Sequence, residues 1–144
     1  MLKGIPPLLS PELLHTIAAM GHGDEIVLAD GNYPSASHAD RLVRADGLGV
    51  LPVLQAILQL FPVDTFVAEQ ALVMQPVDED AAEPPIWKDF RRSLQMAEGR
   101  RVELTEIDRF AFYERSREAY AIVATSETAL YANIILKKGI VPPA

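Results

Sequence analysis

The sequence predicts a layered α/β domain, and three observations carry that prediction. Segments with helical periodicity alternate with short apolar, strand-like runs along the chain. Proline and glycine punctuate those segments where helices start and stop. Finally, 144 residues with 49% hydrophobic content suffice for one buried core, so residues 1–144 read as a single domain.

Ser10-Pro11-Glu12 has the chemistry of a helix start, serine as N-cap and proline at the first helical position. Leu13, Leu14, Ile17 and Ala18 then share one face, and Gly21 is the expected stop. Ile26 to Leu28 form a short apolar strand, broken by the turn-forming cluster Asp30-Gly31-Asn32-Tyr33-Pro34-Ser35. Val50, Leu54, Ile57, Leu58 and Phe61 recur at helical spacing, predicting a mostly buried helix that ends at Pro62. Phe66 to Gln75 reads as a strand. Residues 78–83 form an exposed acidic loop, and Pro84-Pro85 opens a helix through Trp87, Phe90 and Leu94 that stops near Gly99. The last third reads as strand (Val102 to Ile107), helix (Arg109 to Arg115), strand (Tyr120 to Ala124) and strand (Tyr131 to Leu136). Strands interleaved with helices favour a layered α/β arrangement, and neither an internal repeat nor a low-complexity linker interrupts it.

Charge narrows the partners. Thirteen basic against 20 acidic residues leave a formal net charge of -7, opposite to the basic footprint that nucleic acid or an anionic membrane surface requires. No cysteine is present, so disulfides and thiolate metal sites are ruled out, and a reducing, cytoplasmic setting is the expectation. The N-terminus carries no long apolar stretch, and no run reaches the roughly 18 residues of a membrane span.

The segment Met20-Gly21-His22-Gly23-Asp24-Glu25-Ile26-Val27-Leu28-Ala29-Asp30 is the strongest functional signal. Histidine exchanges protons near neutral pH because its unperturbed pKa is about 6.5, and flanking glycines leave both ring nitrogens of His22 approachable. A cap on the preceding helix C-terminus is the other reading. Asp30 either caps the following turn or, at the end of a strand, faces a ligand where open α/β sheets gather them. Asp24 and Glu25 read as structural, and His15 and His38 as solvated side chains. Tyr131 and Asn133, two residues apart, share a face on an extended chain and suit sugar hydroxyls, against the plainer reading of a polar strand edge. Arg109 either pairs with Asp108 or Glu106 or, among Phe110, Phe112 and Tyr113, is held as a planar donor beside a pocket. Arg44-Ala45-Asp46-Gly47-Leu48 reads as a turn with a local ion pair.

Five motifs, in order, cover nearly the whole chain: Ser10-Pro11-Glu12-Leu13-Leu14, the Met20 to Asp30 segment, Arg44-Ala45-Asp46-Gly47, Arg109-Phe110-Ala111-Phe112-Tyr113-Glu114-Arg115, and the segment Tyr131 to Gly139. Together they resemble the D-ribose pyranase and L-fucose mutarotase family, most closely its fucose branch. The resemblance implies a cofactor-free, metal-free isomerase that interconverts the anomers of a free sugar. It implies a three-layer α/β/α domain with a mixed sheet, assembled as a homo-oligomeric ring of decamer type with pockets near subunit boundaries. It assigns acid/base catalysis to His22 and substrate binding to Asp30, Arg109, Tyr131 and Asn133. The chain departs from the family pattern at Gly31-Asn32-Tyr33-Pro34 and at Ala132, leaving the sugar itself open between fucose, ribose and a close analogue.

The residue types fit that chemistry. Opening a pyranose moves a proton from the anomeric hydroxyl and delivers one to the ring oxygen, and one group poised near pH 7 serves both. Such assistance is worth about 10²- to 10⁴-fold. Two other classes stand beside it: a non-catalytic monosaccharide-binding module, and a metal-dependent isomerase or lyase using His22, Asp24 or Glu25, ranked last because one nitrogen donor and no thiolate lie nearby.

Overall fold

A computed structural model describes residues 1–144 and has eleven elements. They are α1 (Pro11–Ala19), β1 (Glu25–Ala29), α2 (Ser35–His38), β2 (Leu42–Ala45), α3 (Val50–Leu58), β3 (Ala71–Met74), α4 (Ile86–Glu98), β4 (Leu104–Ile107), α5 (Arg109–Glu118), β5 (Ala121–Thr125) and β6 (Ile134–Lys137). One six-stranded sheet runs in the order β2-β5-β1-β6-β3-β4. Every pairing is parallel except those of β6, which runs against both β1 and β3. The sheet is therefore mixed, and its one reversed strand is central.

Burial follows the period-two alternation of the strands. Ile26 and Leu28 of β1, Val73 of β3 and Ile134 and Leu136 of β6 pack with Leu13 and Ile17 of α1, Val53 and Leu54 of α3, and Trp87 and Phe90 of α4. Val27, Leu72, Ile122 and Ile135 face the other way, against Tyr33 and Phe112 of α5. Two helical layers thus sandwich the sheet, the three-layer arrangement expected.

Helix ends obey the local chemistry read from the sequence. Ser10 accepts the Leu13 N–H at 3.1 Å, and α4 closes on Gly99 in the left-handed conformation. Helix α1 ends at Ala19, before Gly21, and Ala18 is exposed. Helix α3 ends at Leu58, three residues earlier than its periodicity suggests. No helix is long and apolar enough to cross a membrane.

Three expectations are corrected. Residues 42–45 form the edge strand β2, whose short exposed-buried alternation is a weak signal. The Arg44–Asp46 ion pair, at 2.8 Å, sits at its end. The strand expected from Phe66 shrinks to Ala71–Met74 because side chains capture the preceding backbone locally: Asp64 Oδ1 accepts the Phe66 N–H and the Gln70 amide donates to the Val67 carbonyl. Finally, β6 begins only at Ile134. Tyr131 sits before it with φ 56°, the sole non-glycine residue in the left-handed region, so it does not share an extended face with Asn133.

Where β6 leaves the sheet, Gly139 passes against another backbone: its N–H donates to the Pro62 carbonyl, and a Cβ there would fall 2.8 Å from Asp64 Cα. Backbone on both sides leaves nothing to move aside. Gly139→Ala is expected to lower the unfolding free energy by about 1 to 3 kcal/mol, read from denaturant melts.

Candidate functional site

The chemistry-bearing residues gather at two opposite edges of the sheet. At the C-terminal edge of the parallel strands, Asp30 directly follows β1 and Asn133 directly precedes β6, so the antiparallel pairing brings the two side by side. Their contact is reciprocal. The Asp30 N–H donates to Asn133 Oδ1 at 2.8 Å, and the Asn133 amide donates to Asp30 Oδ2 at 3.1 Å. Asp30 Oδ1 also accepts the Asn32 N–H at 3.0 Å. Both side chains are buried, 6% and 3% exposed. Burial pushes the Asp30 carboxyl above its usual range, against the opposing pull of the Asn32 and Asn133 donors. A buried carboxylate that is only partly compensated is a strong acceptor for ligand hydroxyls.

A depression of about 210 Å³ lies over this pair, lined also by Asn32, Tyr33, Met74, Tyr113, Leu130 and Tyr131. That volume falls below the roughly 300 Å³ at which drug-sized sites begin and is the scale of a small ligand. Tyr131 enters it differently from the sequence reading. Its hydroxyl accepts the Val77 N–H at 3.1 Å and its carbonyl accepts the Trp87 indole N–H at 3.0 Å, which hold the strained backbone in place. It presents an aromatic wall more than a free phenol. Tyr33 is buried, donates its hydroxyl to Ser116 Oγ at 2.6 Å, and is pushed up to about 12 by burial, so it stays protonated. Ser116 in turn donates to the Tyr113 carbonyl, and His38 packs edge-on against both tyrosine rings. The Tyr33 phenol is thereby tied to α5. His38 is less solvated than expected, and burial first, then the Arg117 guanidinium beside it, lower its pKa.

Arg109 stands on the same edge, at the first position of α5 directly after β4. Its guanidinium is exposed, rests 4.9 Å over the Phe110 ring, and forms no ion pair with Asp108 or Glu106. It is a free cation at the mouth of the sheet edge, outside the lining of the depression.

His22 lies at the opposite edge, before β1 begins. At about 3.3 Å per residue, β1 alone puts roughly 16 Å of strand between it and Asp30. Its helix-cap reading is displaced: Lys138 Nζ caps α1 by donating to the Ile17 and Met20 carbonyls at 2.8 and 2.6 Å. The loop is pinned to the end of β6 by Gly23 N–H to Lys138 O and Lys138 N–H to Asp24 O, and Gly23 supplies the φ of 89° the turn needs. Asp24 accepts the Gly21 N–H, while Glu25 accepts both arms of the Arg115 guanidinium at 2.8 and 3.0 Å, so both are structural, as read. The His22 ring is about half exposed, with Nε2 3.1 Å from Asp64 Oδ1 and the ring tilted against Phe66. Asp64 carries no sequence signal, since it lies 42 residues away from His22 in a loop without a motif of its own. No group of three or more His, Asp or Glu side chains is arranged to hold a metal ion.

A sequence profile described as the RbsD / FucU transport protein family matches residues 3–141. The chain belongs to that family. It is 52% identical to a fucose mutarotase of Bos taurus over 149 residues, covering 99% of this chain and 96% of that one. It is 45% identical to an L-fucose mutarotase of Histophilus somni, covering 99% of each. Among solved structures, the fucose mutarotase from Streptococcus pneumoniae in complex with L-fucose superposes with a TM-score of 0.93 at 50% identity, over 98% of this chain and 100% of that one. The family's mixed sheet and three layers are thus those described above.

The Asp30–Asn133 pair generates a stability prediction with a definite pH dependence. Asn133→Ala strips a donor from the buried carboxylate and an acceptor from the Asp30 N–H, and is expected to cost about 2 to 3 kcal/mol in denaturant melts. Because the folded-state pKa of Asp30 lies above its unfolded value, folding disfavours the ionised form. That cost is full above the folded value and fades as pH falls through it toward the unfolded one. The Asn133→Ala penalty is therefore larger at about pH 7 than near pH 4.

Proposed function

We propose that this chain is a mutarotase that interconverts the anomers of L-fucose, with His22 as the proton-transfer group and Asp30, Arg109, Tyr131 and Asn133 as sugar-binding residues. The observation that carries the reading is end-to-end similarity to a fucose mutarotase structure holding L-fucose, at 50% identity over 98% of the chain. The small depression over a buried carboxylate and carboxamide supports it, because hydroxyls satisfy both groups and a mismatched sugar leaves buried donors unpaired at about 1 to 3 kcal/mol each.

In the proposed reaction an unprotonated His22 nitrogen accepts the proton of the anomeric hydroxyl. Its O–H electron pair forms the C1 carbonyl, and the C1–O5 pair moves to O5, which takes the same proton back from the imidazolium. Reclosure on the other carbonyl face reverses each transfer and yields the opposite anomer. No metal or nucleotide takes part.

One chain does not bring His22 to Asp30. We infer a homo-oligomeric ring, of decamer type, in which His22 of one copy approaches the Asp30 pocket of the next. Exposed apolar side chains at both edges support it: Phe66, Ile140 and Val141 on the His22 side, Leu130 and Phe110 on the other.

Anomer exchange measured by NMR magnetisation transfer between the two anomeric protons of L-fucose is expected to accelerate on adding the protein, and His22→Ala to abolish the acceleration. Saturable fucose binding without faster exchange identifies a binding module instead. A shared site has a second consequence. His22→Ala and Asp30→Asn chains, each inactive alone, are expected to regain activity when co-assembled, with roughly a quarter of the sites intact by random mixing. Co-assembled chains that stay inactive would show His22 and Asp30 to act within one subunit or not together.

A further inference from the structure

His38 stands behind the aromatic wall of the depression and takes no part in the reaction described above. Its ring meets Tyr113 at 5.1 Å and 78° and Tyr33 at 5.9 Å and 87°, edge contacts on two of the residues that line that depression. Both of its nitrogens are engaged. Nε2 lies 3.1 Å from the Arg117 guanidinium, and Nδ1 lies 3.4 Å from Ser116 Oγ. A guanidinium can only donate, so Nε2 has to offer its lone pair and the proton of the neutral ring sits on Nδ1. Ser116 agrees with that placement. Its own proton goes to the Tyr113 carbonyl at 2.8 Å, which leaves its oxygen to accept from Tyr33 at 2.6 Å and from His38 Nδ1.

This arrangement has no place for a second proton on the ring. Helix α5 and strand β5 pack on α2. From α5 come Tyr113, Arg117 and Glu114, the last accepting from the other arm of Arg117 at 2.8 Å; β5 brings no ionisable side chain, and Tyr33 lies just before α2. A proton on Nε2 sets two donors and two positive charges 3.1 Å apart. Burial first, then Arg117, oppose it, and the attraction of Glu114 is the weaker counterweight. We propose that His38 is a positioning residue for the sugar site: as a neutral imidazole protonated on Nδ1 it braces the Tyr33 and Tyr113 rings over the depression, and taking a second proton releases the brace and weakens sugar binding. This rests on the reading of the depression as the place where the sugar binds. Arg117 and the charged ring separate, the imidazole leaves its edge contacts, and the Tyr113 ring loses the support behind it.

The test is 15N NMR of the ring nitrogens of the assembled protein, with the His38 signals assigned by their loss in His38→Phe. At about pH 8.5, where an ordinary imidazole is neutral, one tautomer with its proton on Nδ1 is expected; a proton on Nε2, or averaged shifts, overturns the proposal. Lowering the pH with and without saturating L-fucose then reads the coupling. Because the sugar and the second proton disfavour one another, the midpoint for protonating His38 is expected about one pH unit lower with fucose bound, the counterpart of about tenfold weaker binding to the charged ring. A midpoint that fucose leaves in place or raises overturns the proposal, as does a ring that takes no second proton before the protein unfolds. His38→Phe keeps an aromatic edge on both tyrosines and cannot be protonated. Its fucose dissociation constant is expected within about threefold of wild type at about pH 8.5, and the ratio of the wild-type constant to the variant's is expected to grow about tenfold below the wild-type midpoint. That ratio cancels the titration of His22 and Asp30, which both proteins share, and a ratio independent of pH overturns the proposal. Protein that shows the Nδ1–H tautomer but binds no fucose at any pH instead removes the functional reading and leaves the placement of the ring proton intact.

Discussion

Strand β6 runs against its two neighbours, and both sets of chemical groups hang from its ends. Because β5 finishes at the C-terminal edge of the sheet, the short segment 126–133 returns the chain at that same edge, and the strand that follows has to point the other way. Asn133 therefore arrives beside Asp30, and Lys137 to Gly139 leave beside the His22 loop and Asp64. Ile134, Ile135 and Leu136 are fully buried between β1 and β3, and at about 1.5 to 3 kcal/mol for each buried side chain they anchor both ends at once.

Two buried carboxylates show how the surroundings divide one chemistry into two. Asp30 and Asp64 are about equally withdrawn from solvent, yet the first is pushed up and the second held down. Desolvation is the largest influence on both. At Asp64 the backbone donor and the imidazole exceed it, whereas at Asp30 the donors, strongest among them the Asn32 N–H and the Asn133 amide, fall short. The carboxyl left wanting donors faces the depression, and the satisfied one faces His22. The aromatic wall between α2 and α5 has its own order: Arg117 beside His38 Nε2, Tyr33 donating to Ser116, and Ser116 donating to the Tyr113 carbonyl. Shape there is maintained by hydrogen bonds inside the wall, not by the ligand.

Elements whose boundaries rest on local chemistry were legible in the sequence. Serine and proline at the start of α1, and Pro84-Pro85 and Gly99 around α4, act on backbone within a few residues, so each appears where it was read. The apolar run Ile26 to Leu28 was equally plain, and it lies within β1. Strand β2 was not legible, since four residues at a sheet edge carry too little pattern to outweigh the turn chemistry of Asp46-Gly47. Tyr131 was misplaced for the opposite reason. Its sequence favours an extended strand, but the Trp87 indole and the Val77 amide, from remote elements, hold it in a left-handed turn.

By itself the sequence determined the layered α/β class, most helix boundaries and the family to which these motifs point. Those properties depend on neighbours in the chain. The tertiary structure alone decided that Asp30 meets Asn133, that Lys138 takes the helix-capping role open to His22, that Asp64 receives the imidazole, and that His22 and Asp30 stand at opposite edges of the sheet. Each of these joins residues far apart in sequence, and the direction and register of β6, set by burial of the whole sheet, bring them into contact or keep them apart.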